Sequence, residues 1–313
     1  MNRIIKPPKL HPGDVIGICA PASPPRKQDS IESGIRYLES AGFRIKMGKH
    51  IFFRRGYLAG TDVQRASDVN AMFADKSVKA IFTVRGGYGS QRILPLLDYR
   101  LIRRNPKILV GYSDITALQC ALLAKIGLIT FSGPFVSGEM SNKLQGHAEE
   151  LFWSCLMSPQ PPPPIKNVFR DRLISNKRKT AGGRLIGGNL SIISTLVGTP
   201  YFPSIPDPIY VLEDVGEQPY RIDRMLQHLH LAGVFSHARG IGLGNFTDCI
   251  PVPGKPSLTL QDVVRETFRS SQCPIVSGLP VGHIKNSIPF PIGVRAQLDG
   301  KKGTLRFLES GVR

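Results

Sequence analysis

An α/β fold in two unequal parts is predicted: an open parallel α/β sheet over the N-terminal half, then a smaller mixed, β-rich part. Three observations predict it. Short apolar runs alternate with helix-like segments over residues 10–135. A Pro-rich break follows at Pro159-Gln-Pro-Pro-Pro-Pro164. Beyond it, strands and helices no longer alternate regularly, and the chain ends in a hairpin-like pattern.

The first strands are read at Val15–Ala20, Arg44–Met47, Ala80–Val84 and Lys107–Val110. Such short apolar runs suit strands covered on both faces. The helices between them are Asp29–Ala41, Thr61–Ala74, Ser90–Leu97 and Asp114–Ile126. Ile31, Ile35 and Leu38 share one helical face and Gly42 stops that helix, while Thr61 caps the next. Glu139–Met157 reads as one helix carrying the only tryptophan, Trp153. The polyproline run is a semi-rigid spacer, and the basic stretch Ile165–Lys179 after it reads as an exposed strand pair or loop. A Gly-rich stretch, Gly182–Asn189, precedes a helix at Leu190–Val197. A strand at Ile209–Leu212, a helix at Tyr220–Ala232, and strands at Ile241–Phe246 and Pro274–Gly278 follow. Val294–Leu298 and Thr304–Phe307 form a hairpin around Gly300-Lys-Lys-Gly303. The expected division is 1–158, a linker at 159–180, and 181–313.

Composition excludes several classes. Of 313 residues, 41% are hydrophobic, enough for a real core. No run approaches the roughly 18 apolar residues of a membrane span. The five cysteines are widely spaced with no C-x-x-C pair, so zinc-ribbon and thioredoxin chemistry are absent and a reducing compartment is expected. The N-terminal apolar run is too short for a signal peptide, so a soluble, cytoplasmic protein is expected. The net charge of +18 admits an anionic partner. No RRM, KH or helix-turn-helix pattern accompanies it, which argues against a non-enzymatic nucleic-acid-binding protein.

Four places could carry chemistry. In Lys107–Ala117 a strand runs through Gly111-Tyr-Ser113-Asp114 straight into a helix. A serine at such a turn stands clear of the sheet, and the next backbone N–H points where an oxyanion would form. Ile115 replaces the last glycine of G-x-S-x-G, and a plain helix cap at Ser113 is about as good a reading from this segment alone. Val84-Arg85-Gly86-Gly87-Tyr-Gly-Ser90 is a Gly-rich loop without the residues of a P-loop or a dinucleotide fingerprint. It suits a single oxyanion donor beside Ser113, since both loops leave strand C-termini of one sheet. Glu213-Asp-Val-Gly-Glu217 follows a strand, with Arg221 and Arg224 beyond it, and a solvated acidic turn paired with those arginines explains it equally. Among seven histidines, only His283 follows a buried-type strand into a Gly/Pro loop. Serine, an acid at 213–217 and histidine form a nucleophile, orienter and base set.

At these residues the sequence resembles the LD-carboxypeptidase family, the serine peptidases of the S66 type, whose relatives include the microcin C immunity peptidases. The matching stretches are Ala20-Pro-Ala-Ser23, Arg85-Gly-Gly-Tyr-Gly89, Gly111-Tyr-Ser-Asp-Ile-Thr-Ala-Leu118 and Thr130-Phe-Ser-Gly-Pro134. Gly187-Gly-Asn-Leu190, Leu212 through Arg224, and Gly278-Leu-Pro-Val-Gly-His283 complete them, in family order over nearly the whole chain. The resemblance implies Ser113 as nucleophile, His283 as base and Glu213 as its orienting acid. It also implies an oxyanion hole from the amides of Asp114 and of Gly86, with Gly87 close behind. The implied N-terminal domain is flavodoxin/Rossmann-like, and the serine comes from it while acid and base come from the C-terminal one. The implied reaction cleaves the bond between the L-centre of a diamino acid and a terminal D-Ala in cytoplasmic murein tetrapeptides, with no metal or cofactor, in a homodimer. Arg85 and Arg221 are candidates to hold the substrate carboxylate, and pairing with Glu217 or Asp214 is the alternative for each. The immunity-type branch, which cleaves a peptidyl-nucleotide amide, is the second reading; it would want an aromatic platform such as Trp153.

Overall fold

The computed structural model describes residues 3–167 and 180–313. Two sheets carry the architecture. The first begins with β1 (Val15–Cys19), α1 (Gln28–Ser40), β2 (Arg44–Met47), α2 (Asp62–Ala74) and β3 (Val78–Thr83). It continues through α3 (Ser90–Ile93), α4 (Tyr99–Arg104), β4 (Ile108–Gly111), α5 (Thr116–Ile126), β5 (Thr130–Ser132) and α6 (Gly146–Met157). The order β5-β4-β3-β1-β2 is parallel throughout. Every residue of β1 and β4 is buried, whereas β2 at the edge is largely exposed and carries Arg44 and Lys46, charges that discourage further strand pairing. Thr61 caps α2 in a reciprocal box with Gln64.

The second sheet is mixed. It contains β6 (Ile165–Lys166), β7 (Thr180–Asn189), β8 (Pro208–Val215), β9 (Gly240–Thr247) and β10 (Ile275–Ser277), with α7 (Leu190–Leu196), α8 (Pro219–Leu231) and α9 (Leu260–Thr267) between them. After β11 (Phe290–Ile292) come β12 (Arg295–Asp299) and β13 (Thr304–Phe307). The order is β10-β9-β8-β7-β12-β13-β6; β7 to β10 are parallel, and β12, β13 and β6 are added antiparallel. The hairpin expected near the C-terminus is the β12–β13 pair.

Several elements differ from the sequence reading. The Gly-rich stretch at 182–189 lies in β7, a strand with neighbours on both sides. Its glycines are needed because other groups come too close for a side chain: a Cβ on Gly183 would strike the Asp207 carbonyl, and one on Gly187 would lie 2.8 Å from that of Val211. Glu139–Met157 is not one helix. A 3-10 turn at Met140–Asn142 is separated from α6 by residues 143–145, and both Lys143 and Gly146, which opens α6, have positive φ. The helix expected at Ser90–Leu97 ends at Ile93, ahead of a 3-10 turn containing Pro95, which cannot donate the next helical bond. The strand β11 was not anticipated. It pairs antiparallel with β5, so a segment late in the chain completes the first sheet as its sixth strand. Of the basic stretch read at 165–179, only its first residues are described; the rest lies outside the described residues.

The two sheets share α5. Nearly all of this helix is buried because it packs against β5 on one side and α7 and β7 on the other. That shared helix brings the C-terminal end of β4 close to those of β7 and β8.

Candidate active site

Ser113 sits where β4 gives way to α5, in a 3-10 turn at Ser113–Ile115. Its φ is +57°, a left-handed conformation that a serine adopts at a cost. The surroundings enforce it. Gln119, fully buried, donates through Nε2 to the carbonyls of Gly111 (2.8 Å) and Phe131 (2.9 Å), locking the exit of β4. The Asp114 carboxylate, also buried, accepts from the Ser90 backbone N–H at 2.8 Å and so ties this turn to the Gly-rich loop. Burial raises the Asp114 pKa, against the opposing pull of Ser90, Gly89 and Arg65. A plain helix cap does not describe Ser113, since Thr116, three residues on, starts the α-helix proper.

Gly86 lies directly against the serine. A Cβ there would be 2.9 Å from Ser113 Cβ and 3.1 Å from its Oγ. Gly87 has φ +104° and faces Ser23 and Arg85 instead. Fully buried Arg65 holds this loop from behind by donating to the carbonyls of Pro21 and Gly89. The Ala20–Ser23 stretch and the Gly-rich loop are thereby one unit, joined also by Ser23 N–H to the Gly86 carbonyl at 3.3 Å.

The second sheet supplies a buried acid network. Glu213 and Asp214 stand at a register shift in β8 opposite β9, the kind of irregularity that re-aims side chains. Asn189 ends β7 directly beside Glu213 in register, and its Nδ2 lies 3.4 Å from Glu213 Oε1 and 3.0 Å from Asp214 Oδ1. Asp214 accepts from the backbone N–H (2.8 Å) and the hydroxyl (2.7 Å) of Ser191, so it anchors the first turn of α7. Glu213 turns the other way: its Oε2 lies 2.8 Å from His283 Nδ1. Gly282, at φ +115°, leaves room for this pair, since a Cβ there would meet Glu213 Oε2 at 2.8 Å. Burial of His283 disfavours its charge, but the hydrogen bond and charge of Glu213, with Asp214 and Glu139 behind, outweigh it and raise its pKa above the ordinary 6.5.

Beside the site, contacts from Thr116 and Tyr112 reach across to the second half. Thr116 Oγ1 accepts from the Asn189 backbone N–H at 3.1 Å. Tyr112, next to Ser113, lays its ring 4.9 Å from that of His283 and stacks on Phe135 at 4.3 Å. The Tyr112 hydroxyl donates to Glu139 Oε1 at 2.6 Å. A cavity of about 720 Å³ opens beside this group, lined by Tyr112, His283, Glu139, Lys143, Lys285 and Ser132 among others.

The structure thus gathers Ser113, Asp114 and Gly86 on one side and Glu213 and His283 on the other. The two arginines separate. Arg221 forms an exposed pair with Glu217 at 3.3 Å. Arg85 is half-buried and belongs to no ion pair among the described residues; burial and the neighbouring Arg26 lower its pKa. Sequence reasoning assigned no role to Glu139 or Asn189. Gly187-Gly-Asn189 stood out only as a motif, and Glu139 carried no signal beyond a helix start. No group of three or more His, Cys, Asp or Glu among the described residues is arranged to hold a metal ion.

Residues 16–133 match the N-terminal domain of the LD-carboxypeptidases and residues 182–298 their C-terminal domain. The chain belongs to the LD-carboxypeptidase family of peptidases, the S66 type. It is 36% identical to a probable murein peptide carboxypeptidase of Bacillus subtilis, over 98% of this chain and 95% of that one. It is 33% identical to a murein tetrapeptide carboxypeptidase of Pseudomonas aeruginosa, over 92% and 94%. Among solved structures it resembles the microcin self-immunity protein MccF in complex with glutamyl sulfamoyl guanosine, with TM-score 0.86, 26% identity, and 98% and 99% of the two chains covered. The two-sheet architecture of this S66 peptidase is that of its solved neighbour.

Proposed function

We propose that the protein is a serine carboxypeptidase that removes the terminal D-Ala from murein tetrapeptides by hydrolysing its bond to the L-centre of a diamino acid. The observation that carries this reading is the Glu213–His283 pair, 2.8 Å apart, beside the Tyr112–Ser113 turn. The murein carboxypeptidases among its relatives support the substrate class.

In this scheme Glu213 accepts from His283 Nδ1–H, so Nε2 carries the free lone pair of the neutral ring. His283 Nε2 takes the Ser113 proton as Oγ attacks the scissile carbonyl. The amides of Asp114 and Gly86 receive the oxyanion, and the contact between Gly86 and Ser113 supports that pairing over Gly87. The imidazolium then gives its proton to the D-Ala nitrogen as the C–N bond breaks. Water, deprotonated by the same ring, releases the acyl-enzyme. Arg85, with no acidic partner among the described residues and partly desolvated, is the better candidate for the D-Ala carboxylate; Arg221 is already engaged by Glu217. A cytoplasmic homodimer belongs to the same reading, and the five free cysteines, four of them buried, suit a reducing compartment.

The immunity-type reading is less well supported. Trp153, its expected aromatic platform, stacks on Phe43 at 5.0 Å and donates Nε1–H to the Tyr37 hydroxyl. Mass spectrometry of murein tetrapeptide incubated with wild type and Ser113→Ala tests the proposal. Loss of one D-Ala with wild type only is expected. Equal turnover by the variant overturns the nucleophile, and turnover only of a peptidyl-nucleotide favours the second reading.

A further inference from the structure

Among the described residues, Glu139 is the sole acidic side chain lining the cavity beside His283. Its two oxygens are fixed by neutral donors, the Tyr112 hydroxyl at 2.6 Å and the Phe135 backbone N–H at 2.9 Å. It enters no ion pair among the described residues. A partly desolvated carboxylate without an ion-pair partner gains from a cation supplied from outside. Each oxygen keeps a second lone pair for that purpose, and the two existing bonds hold it in place beforehand. Lys143 and Lys285 line the same cavity, are exposed, and also enter no ion pair among the described residues. The cavity therefore offers one fixed acceptor for an ammonium and two mobile donors for a carboxylate. This is the complement of an amino-acid head group, in which both charges sit on one carbon.

We infer that Glu139 is the specificity-determining residue of the site, receiving the second, non-reacting amino group of the substrate's diamino acid, with Lys143 and Lys285 serving a carboxylate on the same carbon. The inference rests on the hydrolase reading for the identity of the substrate, but the binding it describes needs no turnover. Tyr112 links the two events in space, since its hydroxyl meets Glu139 while its ring meets His283.

The test uses the full chain carrying Ser113→Ala and two tetrapeptides that differ at one position. One bears lysine before the terminal D-Ala and the other norleucine, which removes the side-chain ammonium alone. Titration calorimetry should show the lysine peptide binding roughly 10-fold more tightly, in keeping with one charge-assisted hydrogen bond. Adding Glu139→Gln, whose amide oxygen can still accept from Phe135, should reduce the preference to within about twofold, while Glu139→Asp should retain part of it. Because the readout is a ratio within one variant, a general loosening of the site does not imitate it. Replacing lysine by a residue with ammonium and carboxylate on its terminal carbon should tighten binding further, and Lys285→Met should erase that gain. A preference that survives Glu139→Gln overturns the inference. So does equal binding of both peptides, or binding of neither, to the parent. Turnover of the same peptides by wild type is scored separately: Glu139-dependent binding without D-Ala release sinks the hydrolase reading and leaves this one standing.

Discussion

The two sheets prepare their share of the site by different means. The first works through backbone. Ser113 is held at φ +57°, Gly86 is pressed against it, and the carbonyls around them are pinned by Gln119 and Arg65. The second works through side-chain charge. Glu213, Asp214 and Asn189 are buried together, and His283 reaches in to complete the cluster. Backbone geometry tolerates almost no added atom, whereas a charge network tolerates isosteres but not a lost partner. In the proposed mechanism the nucleophile needs position and the base needs an electrostatic environment.

Five measurements would break or sharpen that contrast. The largest effect is expected from Ser113→Ala, which should lower kcat/KM by roughly 10⁴-fold or more while thermal unfolding shows little change, since it removes a single half-buried hydroxyl. Next comes Glu213→Gln, which preserves shape but not charge; steady-state kinetics should show a fall in kcat on the order of 10³–10⁴-fold. A mild effect would mean that Asp214 can take over. Gly86→Ala adds a single methyl group 2.9 Å from Ser113 Cβ. A drop of about 10²-fold in kcat is expected from the displaced nucleophile, and unchanged kinetics would remove Gly86 from the oxyanion site. Asp214→Asn should act on stability instead. It leaves an amide facing the Ser191 donors, so denaturant unfolding should register about 1–3 kcal/mol of destabilisation, with less loss of kcat than at Glu213.

The smallest effect concerns pH. In the proposed mechanism neutral His283 is the base, so kcat/KM should fall as pH drops through its pKa, and the raised pKa places that limb above 6.5. Glu213→Gln should move the limb downward in a pH–rate profile. Stability runs the other way. The protonated ring is favoured by folding, so its contribution is fully present below the unfolded pKa and is lost as pH rises through the folded one.

Much of the first sheet was legible because its strands are short apolar runs between capped or Gly-terminated helices, as at Val15–Cys19 and at Thr61. The Ser113 turn could be found because a serine preceded by Gly111 falls between a strand and a helix. The left-handed φ could not, because it depends on what Gln119 and Asp114 bond to. Glycine-rich β7 was hidden because intrinsic propensity argues against a strand, while the close approaches of Asp207, Val211 and Thr116 demand small residues there. Phe290-Pro-Ile292 is too short to read as a strand without β5 beside it. The separation of Glu213 from Asp214 also needed three dimensions: identical in chemistry and adjacent in sequence, one faces His283 and the other the start of α7.

The pairing of β11 with β5 has a mechanical consequence. The loop bearing His283 leaves the second sheet after β10 and enters the first at β11. His283 is therefore strung like a bridge between two piers, anchored at one end to the sheet that carries Ser113. Drawing histidine away from serine would require unzipping a strand from its neighbour. Chain cleavage between His283 and Phe290 should accordingly silence the enzyme even if both sheets stay folded, because it cuts the span and leaves the piers standing.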